Sequence, residues 1–197
     1  MGASMHSQSL YSTAGRRKYI TRAEGLRFLD VAAEAGLADA AFAGLLASTG
    51  CRISEALALT RFQLDPADEQ VSFFTLKQRR PCWRSVPVSP ALMAMLLEQA
   101  EVAGASEPLW SWCRQTAWRR MTAHMRAAGI EGPQACPRGL RHGFGVACAL
   151  ARIDPRVTQR LMGHSKAETT SIYLEVLGPE ARELLARSWA WQANMPV

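Results

Sequence analysis

The chain has 197 residues, 48% hydrophobic and 20% charged, with a formal net charge of +6 and a pI near 9.4. That length suits one domain with a real core, or a domain plus a short arm. No apolar run reaches the length of a membrane span, and the Ser-rich start has no apolar segment of the kind a secretory signal needs. The basic balance favours a polyanionic partner. The five cysteines are odd in number and scattered without a C-x-x-C, and the four histidines never fall at metal-ligand spacing. They read as reduced thiols of a cytosolic protein that uses no metal and no other cofactor.

Residues 1–18 read as a flexible N-terminal arm. After it, "TRAEGLRFLDVAAEAG" places Thr21 and Glu24 at capping-box spacing, with Leu26, Leu29 and Ala33 on one face and Gly36 as a stop. "LADAAFAGLLASTG" reads as a buried helix ending at Gly50, and "RISEALALT" as a short further one. Between 62 and 88 the pattern turns β-branched and aromatic. "QVSFFTLK" and "WRSVPVS", separated by the polar "QRRPC", predict antiparallel strands of a small three-stranded sheet. Helices are expected again over 90–103, 114–128, 139–152, 155–163, 167–176 and 180–191, punctuated by Gly and Pro. The fold class is predominantly α (α+β), with a small sheet inserted after the third helix.

Two arginines stand where a helix gives them no support. Arg52 follows "STG" at a helix start, with Glu55 on the same face, and Arg141 opens another helix in "PRGLRHGFG". A helix N-terminus prefers anions. Two such guanidiniums gain a use if an anion sits between them, since their fixed forks fit phosphate oxygens. "LMGHSKAETTSIYLEVLG" then sets Tyr173 nine residues after His164, across a Gly-containing turn.

"STGCRISEALALT", "GLRHGFG" and "LMGHSKAETTSIYLEV" resemble the three sequence boxes of the tyrosine recombinase (phage integrase) family, in order and suitably separated. The resemblance extends over residues 19–191 and makes 19–197 a catalytic domain with its C-terminal helix at 179–191. It implies that Arg52 and Arg141 hold a scissile phosphate, that Tyr173 is the nucleophile and that His164 is the third-box histidine. Lys77 matches the sheet lysine, with Arg79 and Arg80 as the alternatives in a hairpin longer than usual, and Glu55 matches the acidic position that supports the arginines. One residue departs from the pattern: Arg138 stands where the family usually has histidine, three residues before Arg141. Arginine cannot act as a base. Either the tyrosine proton goes to His164 or water, or Arg138 is an extra phosphate clamp, or activity is reduced.

The implied chemistry is metal-independent. Tyr173 attacks phosphorus to form a 3′-phosphotyrosine and release a 5′-hydroxyl, Lys77 protonates the leaving oxygen, and the arginines stabilise transition-state charge. Double-stranded DNA is the expected partner, with assembly of a homotetramer on it. Arg79, Arg80, Arg84, Arg114, Arg119, Arg120 and Lys166 are candidate DNA contacts. His124 reads as a packing residue, His142 as support for the second box, and Trp110, Trp112 and Trp118 as core. Family members normally add an N-terminal helical domain, for which this length leaves no room, so the chain reads as an excised catalytic domain or a compact recombinase. A type IB topoisomerase shares the chemistry, and a non-catalytic helix-turn-helix protein shares the charge and the Gly turn.

Overall fold

A computed structural model describes residues 9–75, 82–164 and 168–175. The first helix, α1 (Arg22–Glu34), starts where the capping box places it: Thr21 accepts from the Glu24 amide, and the Glu24 carboxylate accepts from the Thr21 amide. Next comes α2 (Leu37–Thr49), in which Ala41, Phe42, Ala43, Leu45 and Leu46 are all buried. Its apolar surface runs all round, as a central helix requires, and α2 touches α1, α6 (Pro137–Leu150) and α4 (Pro90–Ala103). Each buried Leu or Phe there contributes roughly 1.5–3 kcal/mol by leaving water.

A five-residue helix, α3 (Ile53–Leu57), leads into an antiparallel sheet of order β1 (Leu64–Asp65), β2 (Gln70–Thr75) and β3 (Cys82–Pro87). In the β2–β3 register Phe73 faces Arg84 and Thr75 faces Cys82. The remaining helices are α5 (Arg114–Ala127), α7 (Pro155–Met162) and α8 (Glu168–Ser171), the last continuing as a 3-10 turn at Ile172–Glu175. Within the helix expected over 167–176, the described residues form a short α turn followed by a 3-10 turn. Lys77, Arg79, Arg80, Lys166 and the helix expected at 179–191 lie outside the described residues.

The expectation of a flexible arm fails for residues 9–18. A tight hairpin forms there: Tyr11 bridges Arg17, and the Lys18 amide donates to the Leu10 carbonyl at 2.8 Å. The reason is apolar. Leu10 and Tyr19 are buried in a second small core with Val146, Met162 and Tyr173. The chain is then tied to α6 through the Ile20 amide, which donates to the Gly139 carbonyl at 3.0 Å. Gly143 makes that approach possible, because a Cβ there would lie 2.6 Å from the Ile20 carbonyl oxygen.

Trp118 also departs from expectation: Trp110 is buried, but Trp118 is 46% exposed. Its neighbours Ala117 and Met121 take the inward face of α5, which leaves Trp118 on the outer side. His124 is more than packing, since its Nε2 lies 2.8 Å from Oδ1 of the buried Asp39.

Leu10→Ala should cost about 2 kcal/mol, the low end for such a truncation because a hairpin can partly collapse onto the gap. Amide exchange should quicken first at residues 9–19 and at Val146. Uniform loss of protection across α1 and α2 instead would mean that the hairpin is part of the main core.

Candidate functional site

Three arginines from three different elements meet the end of α7. A helix leaves its last carbonyls without partners, and that end attracts cations. Arg84 Nε on β3 donates to the Leu161 carbonyl at 2.9 Å, Arg141 Nη2 on α6 to Met162 at 2.7 Å, and Arg52 Nη2 ahead of α3 to Gly163 at 3.3 Å. Arg141 also donates through Nη1 to the Gly50 carbonyl at 2.5 Å. Consecutive carbonyls therefore set the spacing of the guanidiniums.

Glu55 holds two of the three. Its carboxylate accepts from Arg52 Nη1 at 2.8 Å, from the Arg52 amide at 2.8 Å, and from Arg84 Nη2 at 2.7 Å and Nη1 at 3.2 Å. The buried Thr75 hydroxyl adds a contact at 3.2 Å. Burial alone would raise the Glu55 pKa; the hydrogen bond and charge of Arg84, then Arg52, outweigh it and hold the group at about 2.

Arg84 was a candidate DNA contact, and its position corrects that expectation. Only 7% of its side chain is exposed, and the guanidinium points inward onto Glu55 and Thr75. As the cross-strand partner of Phe73, its stem lies over a core position, and the nearby carboxylate compensates its charge. Arg120 is likewise engaged, with an ion pair to Asp39 and its guanidinium stacked over Trp112. Arg114 and Arg119 are exposed on α5, and Arg138 is exposed in the first turn of α6.

Tyr173 sits beside this cluster and is only 2% exposed. Gly145 makes room for it: a Cβ there would fall 2.4 Å from the ring carbon Cζ. The His164 ring stacks nearly parallel to it, 17° apart with centroids at 6.2 Å. Its own Nδ1 lies 2.9 Å from the Thr170 hydroxyl. Burial, then the charges of Arg141 and Arg52, lower the His164 pKa to about 3. Burial raises that of Tyr173 to about 12, although Arg141 and Arg138 pull the other way. Arg141 itself falls to about 10, chiefly through burial and then Arg52, so it stays charged at neutral pH.

Three guanidiniums against one carboxylate leave two uncompensated positive charges (3 − 1) beside a protonated phenol and a neutral imidazole. That excess of positive charge suits an anion. Beside it, a groove between β3 and α7 lined by Trp83, Arg84, Arg160, Gly163 and His164 opens to about 1130 Å³. Among the described residues no three His, Cys, Asp or Glu gather as metal ligands. His142 is the residue whose contact sequence reasoning missed: its Nδ1 lies 3.2 Å from the Tyr173 hydroxyl. It could have been noticed from its place four residues after Arg138, on the same helical face.

Residues 18–178 match the model of the phage integrase family, and the chain belongs to that family. Among curated relatives, the tyrosine recombinase XerD of Corynebacterium glutamicum is 30% identical over 167 residues, 79% of this chain and 54% of that protein. XerD of Pseudomonas aeruginosa is 31% identical over 165 residues, 77% of this chain and 54% of that one. The chain thus spans about half the length of the curated relatives it matches. Among solved structures, the XerA recombinase superposes with a TM-score of 0.75 at 22% identity, covering 86% of this chain and 64% of that one. The catalytic domain of bacteriophage HP1 integrase gives 0.65 at 23% identity, covering 86% and 93%. XerH recombinase bound to a palindromic difH substrate, in a post-cleavage complex, gives 0.72 at 17% identity, covering 91% and 55%. The mostly helical fold with its small sheet is the fold of these domains.

Stability should follow the Glu55 carboxylate. Its pKa falls from 4.5 to about 2 on folding, so its contribution is complete above pH 4.5 and is lost as pH drops toward 2. That difference corresponds to about 3 kcal/mol. In Glu55→Gln, denaturant midpoints should lose this acid-limb slope, and overall stability should fall by about 3 kcal/mol or more because Arg84 is left buried without its counter-charge. A variant as stable as the parent at pH 7 would show that the α7 carbonyls alone hold Arg84.

Proposed function

We propose that this chain is the catalytic part of a site-specific DNA recombinase that cleaves and rejoins duplex DNA through a 3′-phosphotyrosyl intermediate. The observation that carries the reading is the excess positive charge of Arg52 and Arg141 beside the Tyr173 phenol. A phosphodiester repels an anionic attacker, and a phenol is a weak nucleophile while protonated. Guanidiniums on the non-bridging oxygens answer the first problem and stabilise the charge that grows in the transition state.

In this reading Arg52 and Arg141 turn part of their donor set from the α7 carbonyls to the phosphate, while Glu55 keeps Arg52 aimed. Arg84 acts one step back, as a buried strut between Glu55 and α7. His164, neutral and stacked on Tyr173, fixes the ring and can donate to a phosphate oxygen. Lys77 is assigned the proton for the 5′ leaving oxygen, and Arg138 an additional charge near the phosphate. Arg114, Arg119 and Lys166 are assigned to the DNA backbone, with Arg79 and Arg80. The partner is double-stranded DNA. The XerH complexes, which carry difH substrate in pre-cleavage and post-cleavage forms, support that class of partner. Assembly of four copies on DNA belongs to the same reading, because exchange between two duplexes requires four cleavages.

The test is covalent capture. Incubated with nicked duplexes whose core is randomised, the chain should yield adducts that survive denaturation, and peptide mapping should put them at Tyr173. Tyr173→Phe should form none, while binding duplex DNA within a few-fold of the parent. Excess chelator should leave the adduct rate unchanged, since charge is offset by guanidiniums rather than Mg²⁺. Cleavage that needs Mg²⁺ and leaves no adduct would replace the reading with a nuclease.

A further inference from the structure

Granted the recombinase reading, on which this rests, we propose that His142 is the general base that takes the proton of Tyr173 during cleavage and returns it during religation. The contact that points to it is direct: Nδ1 of His142 lies 3.2 Å from the tyrosine oxygen. Both groups are buried, His142 at 8% and Tyr173 at 2% exposure, so the phenol has little access to bulk water.

The alternatives are poorly equipped. Arg138 is a permanent cation with no lone pair to offer. His164 lies face to face with the Tyr173 ring, and its Nδ1 is engaged by Thr170. Among the described residues, His142 is the one whose ring nitrogen is within hydrogen-bond distance of the phenol oxygen. Histidine therefore stands one helical turn beyond Arg138 on the same face, where a base can reach the nucleophile that Arg138 cannot deprotonate.

The surrounding charges keep this base free of its own proton. Arg138 and Arg141 face it from α6 and Lys18 from the N-terminal hairpin, while Tyr173 and His164 flank it from the segment after α7. Burial first, then those three cations, lower its pKa to about 4. In the step itself the Tyr173 O–H bond breaks as its oxygen bonds phosphorus and the P–O5′ bond opens. The proton moves to Nδ1, and the imidazolium is offset by the negative charge gathering on the phosphoryl oxygens. The leaving 5′ oxygen takes a separate proton, assigned to Lys77. On religation the imidazolium protonates the departing tyrosyl oxygen.

Two experiments decide it. In the first, ¹⁵N imidazole spectra of the free protein should show His142 protonated on Nε2, with an Nδ1 resonance that shifts in Tyr173→Phe. A proton resident on Nδ1 would overturn the proposal. In the second, adduct formation on a nicked duplex selected from the randomised pool is followed against pH. His142→Asn keeps an acceptor near the phenol but cannot carry the proton, and should slow cleavage by roughly 10²-fold or more with DNA affinity unchanged. It should also lose the fall in rate on the acid side. Replacing Tyr173 by 3-fluorotyrosine, whose phenol is more acidic, should shrink the deficit of His142→Asn. A deficit of the same size with both nucleophiles would assign His142 a structural role only, and a parental rate in His142→Asn would move the proton to another group. No adduct from the unsubstituted chain would sink the recombinase reading and this proposal together.

Discussion

The buried carboxylate of Glu55 is the constraint on which the site depends. It is fixed to the Arg52 amide at the start of α3, which ties it to the backbone rather than to a side chain that can swing. From that anchor it orients two guanidiniums, and these join α3, β3 and the end of α7. Arginines placed this close repel one another. One carboxylate and three helix-end carbonyls reduce that repulsion without cancelling it. The remainder is visible in the groups nearby: both buried histidines and Arg141 have lowered pKa values, in which burial comes first and neighbouring cations second.

A second constraint is the seam between two apolar clusters. The main core is built around α2, while Tyr173 belongs to the smaller one that includes Leu10 and Tyr19 from the N-terminal hairpin. Helix α6 serves both. Its first two turns carry Arg138 and Arg141, and its glycines admit Ile20 on one side and the Tyr173 ring on another. The position of Tyr173 thus depends on a segment that lies more than 150 residues away in sequence (173 − 19 = 154). The hairpin rests on a few backbone hydrogen bonds, the Arg17–Glu24 ion pair and the buried Leu10 and Tyr19, a smaller apolar contact than α2 makes, so this end of the site has lower local stability than the main core.

Most of the helical order was legible in the sequence because local signals carry it. The Thr21–Glu24 box, Pro90 and Pro155 near helix starts and the glycines after α2 and α7 act through neighbours in the chain. Arg52, Arg141, His164 and Tyr173 were recognisable as a set through their family boxes, and the structure brings all four together. What was not legible came from long-range contact. Whether a strand arginine faces solvent or Glu55 depends on the pleat and on what packs beneath it, so Arg84 read as a surface cation. Leu10 sits among serines and looks disordered until its partners Val146 and Met162 are known. His142 read as support because its spacing from Arg138 marks a helix face but not the residue, thirty-one positions later, that returns to it.

In the proposed reaction, the same arrangement sets how an arriving phosphate changes the site. Before it arrives, phenol and imidazoles are held neutral, and the cations face carbonyls and Glu55. In a buried site an anion between Arg52 and Arg141 acts through a low effective dielectric, where each charge counts for more than in water. It offsets the cationic field that lowers His142 and His164, so both imidazoles become better proton acceptors at the moment when one is needed. The same anion makes deprotonation of Tyr173 harder, because it opposes a phenolate beside it. These effects favour transfer concerted with attack over a free phenolate formed beforehand. A phenol raised to about 12 is therefore compatible with nucleophilic use, provided the base lies against it and the charge is delivered to phosphorus as the proton leaves.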